Sequence, residues 1–209
     1  MRIPLAGDGY RFIAPGVALT AAAAWLYWPV AVPLGVVTAF FILFFRDFER
    51  VTPNIAGAVF SAGDGRVDDI EEIDAPEFPG GRALKIGTFL SVFNCHITRS
   101  PVTGRVRKIQ YQPGRFLNAM NRASGAQNES NRIEIETSAG PIVVRQIAGK
   151  IARRIVCTAR TGQRLEAGQR IGLIRMGSRI EVYAPVTAEL RVKKGATVRA
   201  GLSVLAVIK

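Results

Sequence analysis

The sequence predicts a mostly β protein, a β-sandwich domain behind an N-terminal hydrophobic helical membrane segment. Three observations predict it: an uncharged apolar run from Phe12 to Phe45, short runs of alternating β-branched and polar residues after Arg50, and an internal echo in the last third. Hydrophobic residues make up 48% of the chain, and their excess is concentrated ahead of Arg50.

The apolar run holds 34 residues without a charge. As one straight helix it would measure about 51 Å, against roughly 30 Å of hydrocarbon. Pro15, Pro29 and Pro33 interrupt it, which predicts two short helices, near Gly16–Trp28 and Leu34–Phe45, meeting at a Pro29–Pro33 turn. Each is short for a crossing, so a hairpin dipping into the bilayer competes with one kinked span. Arg2 and Arg11 flank one side and Arg46 and Arg50 the other, a balance that favours both ends on the cytoplasmic face. No small-residue cleavage site separates the run from Arg46, which argues against a removed signal peptide. Residues 1–50 are therefore assigned to the membrane segment, and residues 51–209 to the domain that carries any chemistry.

Within that domain Arg105–Gln112, Asn131–Thr137 and Pro141–Ile147 alternate in the manner of antiparallel strands. A short helix is expected near Gly87–Val92. The echo comes last. Gly162-Gln-Arg-Leu-Glu-Ala-Gly168 and Gly195-Ala-Thr-Val-Arg-Ala-Gly201 each lead into an apolar strand, with glycines where positive φ is expected. Two such units about a pseudo-twofold resemble the flattened lipoyl/biotinyl-like β-sandwich, and a plain Gly-turned meander is the alternative. A carrier role does not follow, because Lys193 and Lys194 precede the second copy instead of occupying a hairpin tip.

The formal net charge is +12, and residues 140–209 carry fourteen Lys/Arg against three acids. An anionic membrane surface is the favoured partner, since Tyr183 is the only aromatic in that stretch and base stacking has no platform. Nucleic acid is thereby excluded. Cys95 and Cys157 are isolated, which predicts neither a disulfide framework nor a metal site and fits a reducing compartment.

Three positions could carry chemistry. His96 is the only histidine and so the only general base of the usual kind at neutral pH. Asp64, in Gly63-Asp64-Gly65-Arg66, reads locally as an Asp-Gly hairpin turn, and the acidic residues from Asp68 to Asp74 as a solvated face. Ser178 follows Gly177 in Arg175-Met176-Gly177-Ser178-Arg179, where a residue without Cβ lets the hydroxyl approach its own preceding carbonyl.

Asp64-Gly65-Arg66-Val67, Asn94-Cys95-His96-Ile97-Thr98-Arg99-Ser100-Pro101 and Met176-Gly177-Ser178-Arg179, in this order and spacing, resemble the short form of phosphatidylserine decarboxylase proenzymes. Asn128-Glu129-Ser130-Asn131 belongs to the same likeness. Where larger forms of the family carry another histidine just before the equivalent of His96, this chain has Phe93. The resemblance implies an Asp64–His96–Ser178 triad for self-processing at Gly177–Ser178, following the logic of the serine hydrolases. It implies fragments 1–177 and 178–209 that stay together as a heterodimer, with higher oligomers left open. It further implies a pyruvoyl group derived from Ser178, which acts as electron sink for loss of CO₂ from a phospholipid headgroup. Arg99, Arg175 and Arg179 are candidate partners for phosphate or carboxylate. The expected location is the cell membrane, with the domain on the cytoplasmic side. Two alternatives compete: an archaetidylserine decarboxylase, and a non-enzymatic membrane adaptor with a lipoyl-like domain.

Overall fold

The structure is a computed structural model that describes residues 4–114, 127–149, 154–175 and 178–208. The chain divides into two compact units, Met1–Glu49 and Arg50–Lys209.

The first unit is a helical hairpin of α1 (Tyr10–Leu26) and α2 (Trp28–Phe44), each of 17 residues. The chain reverses at Tyr27, whose backbone is extended (φ −159°, ψ 90°). The expected Pro29–Pro33 turn is therefore corrected. Pro29 lies in the first turn of α2, where its missing N–H has no helical partner to lose, and Pro33 forfeits one intrahelical bond. Nor is the run one kinked span. Phe12 stacks on Phe41 and Phe45 with ring centroids 5.3 and 5.6 Å apart, and the Thr20 and Thr38 hydroxyls meet at 3.3 Å. Gly16 permits this approach, since a Cβ there would lie 2.7 Å from Thr38 Oγ1. Among the described residues, no helix is long and apolar enough to cross a membrane.

The second unit is mostly β. Its first strands are β1 (Ala58–Phe60), β2 (Gly65–Asp74), β3 (Arg82–Leu90), β4 (Ile97–Arg99), β5 (Gly104–Gln112), β6 (Ser130–Thr137) and β7 (Gly140–Ala148). There follow β8 (Ile155–Cys157), β9 (Arg164–Leu165), β10 (Arg170–Ile174), β11 (Ser178–Pro185), β12 (Glu189–Leu190), β13 (Thr197–Val198) and β14 (Val204–Val207). An eight-stranded antiparallel sheet runs β13-β2-β3-β11-β7-β6-β5-β9, with two three-stranded sheets, β4-β10-β8 and β1-β14-β12. The three strands read from alternation are found as β5, β6 and β7, within a residue at each end. The short helix expected near Gly87–Val92 is instead the end of β3. That strand pairs with β2 on one side and β11 on the other, so its apolar run reflects burial between neighbours and not a helical face.

The echo is deeper than its two glycine pairs. All four glycines have positive φ, from 71° to 91°. The strand β13 pairs with β2 and β14 with β1, while β9 pairs with β5 and β10 with β4. Matching bonds recur: Gly201 N–H donates to Ser61 and Gly168 N–H to Ser100, both at 2.8 Å. Each copy thus uses an upstream strand pair, Gly65-Arg66-Val67 in one and Gly104-Arg105-Val106 in the other. One core serves both, with Val67, Ile86, Leu90, Val106, Ile133 and Ile180 among its buried members. Burial on this scale favours the fold at about 25 cal/mol per Å² of apolar surface.

Candidate active site

Strand β11 is buried along its whole length, between β3 and β7. Its alternation places Ile180, Val182 and Ala184 in the core, and Ser178 shares their side of the strand. Ser178 opens both ladders, opposite Leu90 on β3 and Ala148 on β7. The residue is fully buried, and its Oγ has no hydrogen-bond partner among the described residues. Such an orphaned hydroxyl costs about 1–3 kcal/mol, and a reactive role is one reason for a protein to keep it. Met176 and Gly177, and with them the expected scissile carbonyl, lie outside the described residues.

His96 reaches the same end of the sheet by a different route. Leu90 ends β3, and the following turn is closed by Asn94, whose Oδ1 accepts from both the N–H and the hydroxyl of Ser91. His96 comes next, 1% exposed, just ahead of β4. Its carbonyl accepts from Ile174 N–H at 3.3 Å, at the end of the strand that leads towards Ser178. Its Nδ1 lies 2.9 Å from the Asn94 carbonyl. A carbonyl only accepts, so the neutral ring carries its proton on Nδ1 and its lone pair on Nε2, the form a general base requires.

Asp64 links β1 to β2. These strands belong to different sheets, so the expected Asp-Gly hairpin is corrected: the glycines are there for space. A Cβ on Gly63 would strike Ile180 and one on Gly65 the Phe89 carbonyl, which puts Asp64 at the same edge as Leu90. The Asp64 carboxylate takes a two-pronged pair from Arg50, at 2.6 and 2.7 Å, and the Ala200 N–H at 2.8 Å. These partners do not include His96, the residue that the resemblance groups with Asp64 in a triad. In the other copy Thr103 stands in its place and accepts from Ala167 N–H. The copies share a backbone and differ where the candidate residues stand: Asp64 against Thr103, and His96 against Gly57, whose carbonyls accept alike.

The three arginines separate. Arg99 is buried and donates to the Gly168 carbonyl at 2.8 Å. Arg179 is 3% exposed and meets Asp68, Asp69 and Glu181. Arg175 is half-buried at the end of β10. The acidic run is accordingly not all solvated face: Asp69 is buried and Asp68 is paired, because a bulge in β2 turns both towards β11. Around them, burial and Glu181 push the Tyr183 phenol well above its ordinary range. For Lys85, burial acts to lower the pKa, but Glu71, Glu181 and Asp69 outweigh it and the ammonium is raised.

Sequence reading missed Arg50, which has no local signal, and a buried amide chain. Asn131 donates to Gln146, Gln146 to Thr98, and Asn128 to the Ala148 carbonyl beside Ser178. Its only trace was the polar Asn128–Asn131 run at the head of a strand.

A family model described as Phosphatidylserine decarboxylase matches residues 37–206. A relative from Symbiobacterium thermophilum is 43% identical over 207 residues, covering 98% of this chain and 96% of its own. One from Ruegeria pomeroyi is 44% identical over 208 residues, covering 97% and 94%. Both are named phosphatidylserine decarboxylase proenzyme.

Proposed function

The chain belongs to the phosphatidylserine decarboxylase family, a family of carboxy-lyases, and from that premise we propose that it converts phosphatidylserine to phosphatidylethanolamine and CO₂ after cutting itself between Gly177 and Ser178. The observation that carries this reading is the buried Ser178 Oγ without a partner among the described residues, at the head of a strand gripped on both sides. His96 Nε2 takes the hydroxyl proton and Ser178 Oγ attacks the Gly177 carbonyl, so that the amide becomes an ester. Loss of the Ser178 α-proton then expels residues 1–177 as a carboxylate and leaves a dehydroalanine. Water adds to it, ammonia leaves, and residue 178 becomes a pyruvoyl ketone at the head of the 178–209 fragment. Asp64, with its charge balanced by Arg50, contributes the carboxylate of the triad.

The residues fit that group. Ser178 supplies all its heavy atoms except the ketone oxygen, which the added water brings, and the residue is buried. Once formed, the ketone supplies an electron sink for decarboxylation. Its orientation would fall to the ladders from Leu90 and Ala148, and proton delivery to His96. Arg175, half-buried just past β10, is the arginine we assign to the headgroup phosphate or carboxylate. The paired turn–strand copies support the likeness to the lipoyl-type sandwich.

The hairpin supports a place at the cell membrane. Trp25, Leu26, Tyr27 and Trp28 at its tip are 64% to 86% exposed, an aromatic cluster of the kind that partitions into lipid interfaces. The basic C-terminal stretch adds attraction to an anionic cytoplasmic leaflet. Denaturing mass measurement tests the core of the proposal. Two chains, 1–177 and a ketone-bearing 178–209, are expected, with only full-length chain from Ser178→Ala. Full-length chain from both would overturn it.

A further inference from the structure

We propose that Arg179 is a positioning residue, whose clamped guanidinium holds residue 178 in place before the backbone is cut and keeps the new terminus there afterwards. This rests on the self-cleavage reading above. The guanidinium is directed at three carboxylates from two strands. Its Nη1 meets Asp68, its Nη2 lies 3.4 Å from Asp69 and its Nε donates to Glu181 at 3.1 Å. In a regular strand Asp68 and Asp69 would point to opposite faces, and the register shift between Val67 and Asp69 lets both reach it.

Strand β3 lies between β2 and β11, so the arginine must pass over it. It does so at Gly87, the register partner of both Asp69 and Glu181. A Cβ on Gly87 would lie 2.2 Å from Arg179 Nη2, so any side chain there displaces the guanidinium. The carboxylates are themselves held: Lys85 lies 3.2 Å from Asp69, and Tyr183 donates to Glu181 at 2.5 Å. The clamp is thus built on both sides of the strand that separates its partners.

Such an arrangement suits anchoring and not headgroup recognition. The guanidinium's donors are already directed at three carboxylates, and with 4% of its side chain exposed it offers an anionic ligand no approach. Anchoring is what cleavage demands. A chain end made by cutting a backbone ordinarily frays, and Ser178 forms the last pair of each of its ladders. One residue inward, a buried ion cluster fixes the strand at a point where backbone pairing alone is weakest.

The test uses the full chain as Arg179→Gln, Arg179→Lys and Asp68→Asn. Three readouts are followed: the cleaved fraction against time by denaturing mass, kcat and KM on phosphatidylserine in detergent micelles, and the rate at which hydroxylamine labels the terminal ketone. Arg179→Gln is expected to slow cleavage about tenfold or more, the scale of a small misplacement. In its cleaved fraction kcat should fall about tenfold with KM within about twofold, while labelling accelerates about tenfold as the end loosens. Arg179→Lys keeps the charge without the fork and should fall between it and the parent. Wild-type cleavage, kcat and labelling in Arg179→Gln would overturn the proposal. So would a raised KM with kcat and labelling unchanged, which would make Arg179 a headgroup ligand. If Arg179→Gln does not fold, Asp68→Asn, whose side chain is 29% exposed, decides on the same readouts, and parental values there overturn the idea. A parent chain that never cleaves would sink the self-cleavage reading itself, a result distinct from any of these.

Discussion

Ser178, His96 and Asp64 are each fixed by very different physics. Ser178 is held by backbone pairing and His96 by the Asn94 turn, while Asp64 is held by charge. The Arg50–Asp64 pair has side chains only 7% and 14% exposed, so removing one partner strands the other's charge in a dry place. Arg50→Gln and Asp64→Asn should each lower unfolding stability by about 3 kcal/mol, measured by urea titration of the Ser178→Ala precursor, which cannot be cut. Equal stability to the parent in either would show that the pair is not buried in solution. His96→Ala should leave the chain uncut by denaturing mass, and normal cleavage in it would remove His96 from the proposed triad. Residue types were legible at this scale: one histidine, one Gly-Ser step and, after Arg50, one glycine-flanked aspartate. Partners were not, since Arg50 and Ala200 come to Asp64 only through the fold.

The helical hairpin has its own signature. The chain contains two tryptophans, Trp25 and Trp28, and both stand at the hairpin tip, 86% and 70% exposed. Intrinsic fluorescence therefore reports on the tip alone. Adding vesicles of phosphatidylserine and phosphatidylcholine should shift emission to the blue, and brominated acyl chains should quench it. Unchanged emission would remove the hairpin from the bilayer. The existence of two helices was readable from the apolar run and its prolines. Their boundaries were not, because Pro29 is tolerated in a helix's first turn, Pro33 sits inside α2 at the loss of one bond, and the reversal falls on Tyr27, which carries no turn signal. The β-strands with one mixed face were read closely, whereas β3, buried between neighbours, lost the alternation that identifies a strand.

At the scale of the molecule, the proposed cut leaves a fragment that cannot depart. Strand β11 lies between β3 and β7, β13 lies beside β2, and β14 lies between β1 and β12. The 178–209 segment is therefore woven into two sheets of the unit. The two fragments should co-elute on native size exclusion and separate only in denaturant. Dissociation without denaturant would mean that the cleaved state rearranges. The same weaving explains why the echo was only half visible. Its second halves lie in sequence as Gly-turned repeats, but the upstream strands that complete them share only Gly-Arg-Val, and pairing partners so distant leave no local pattern.

The sequence by itself determined the class of the fold, the apolar helical segment and the residue types able to do the chemistry, because alternation, charge depletion and the scarcity of histidine are local properties. Only the tertiary structure decided which groups meet. A bulge turned two acids of an apparent surface run onto Arg179, a glycine in β3 made room for that side chain, and Asp64 was given to Arg50. Each of these outcomes depends on register between strands far apart in the chain. Register is set by packing the whole core at once, and no single stretch of sequence carries it.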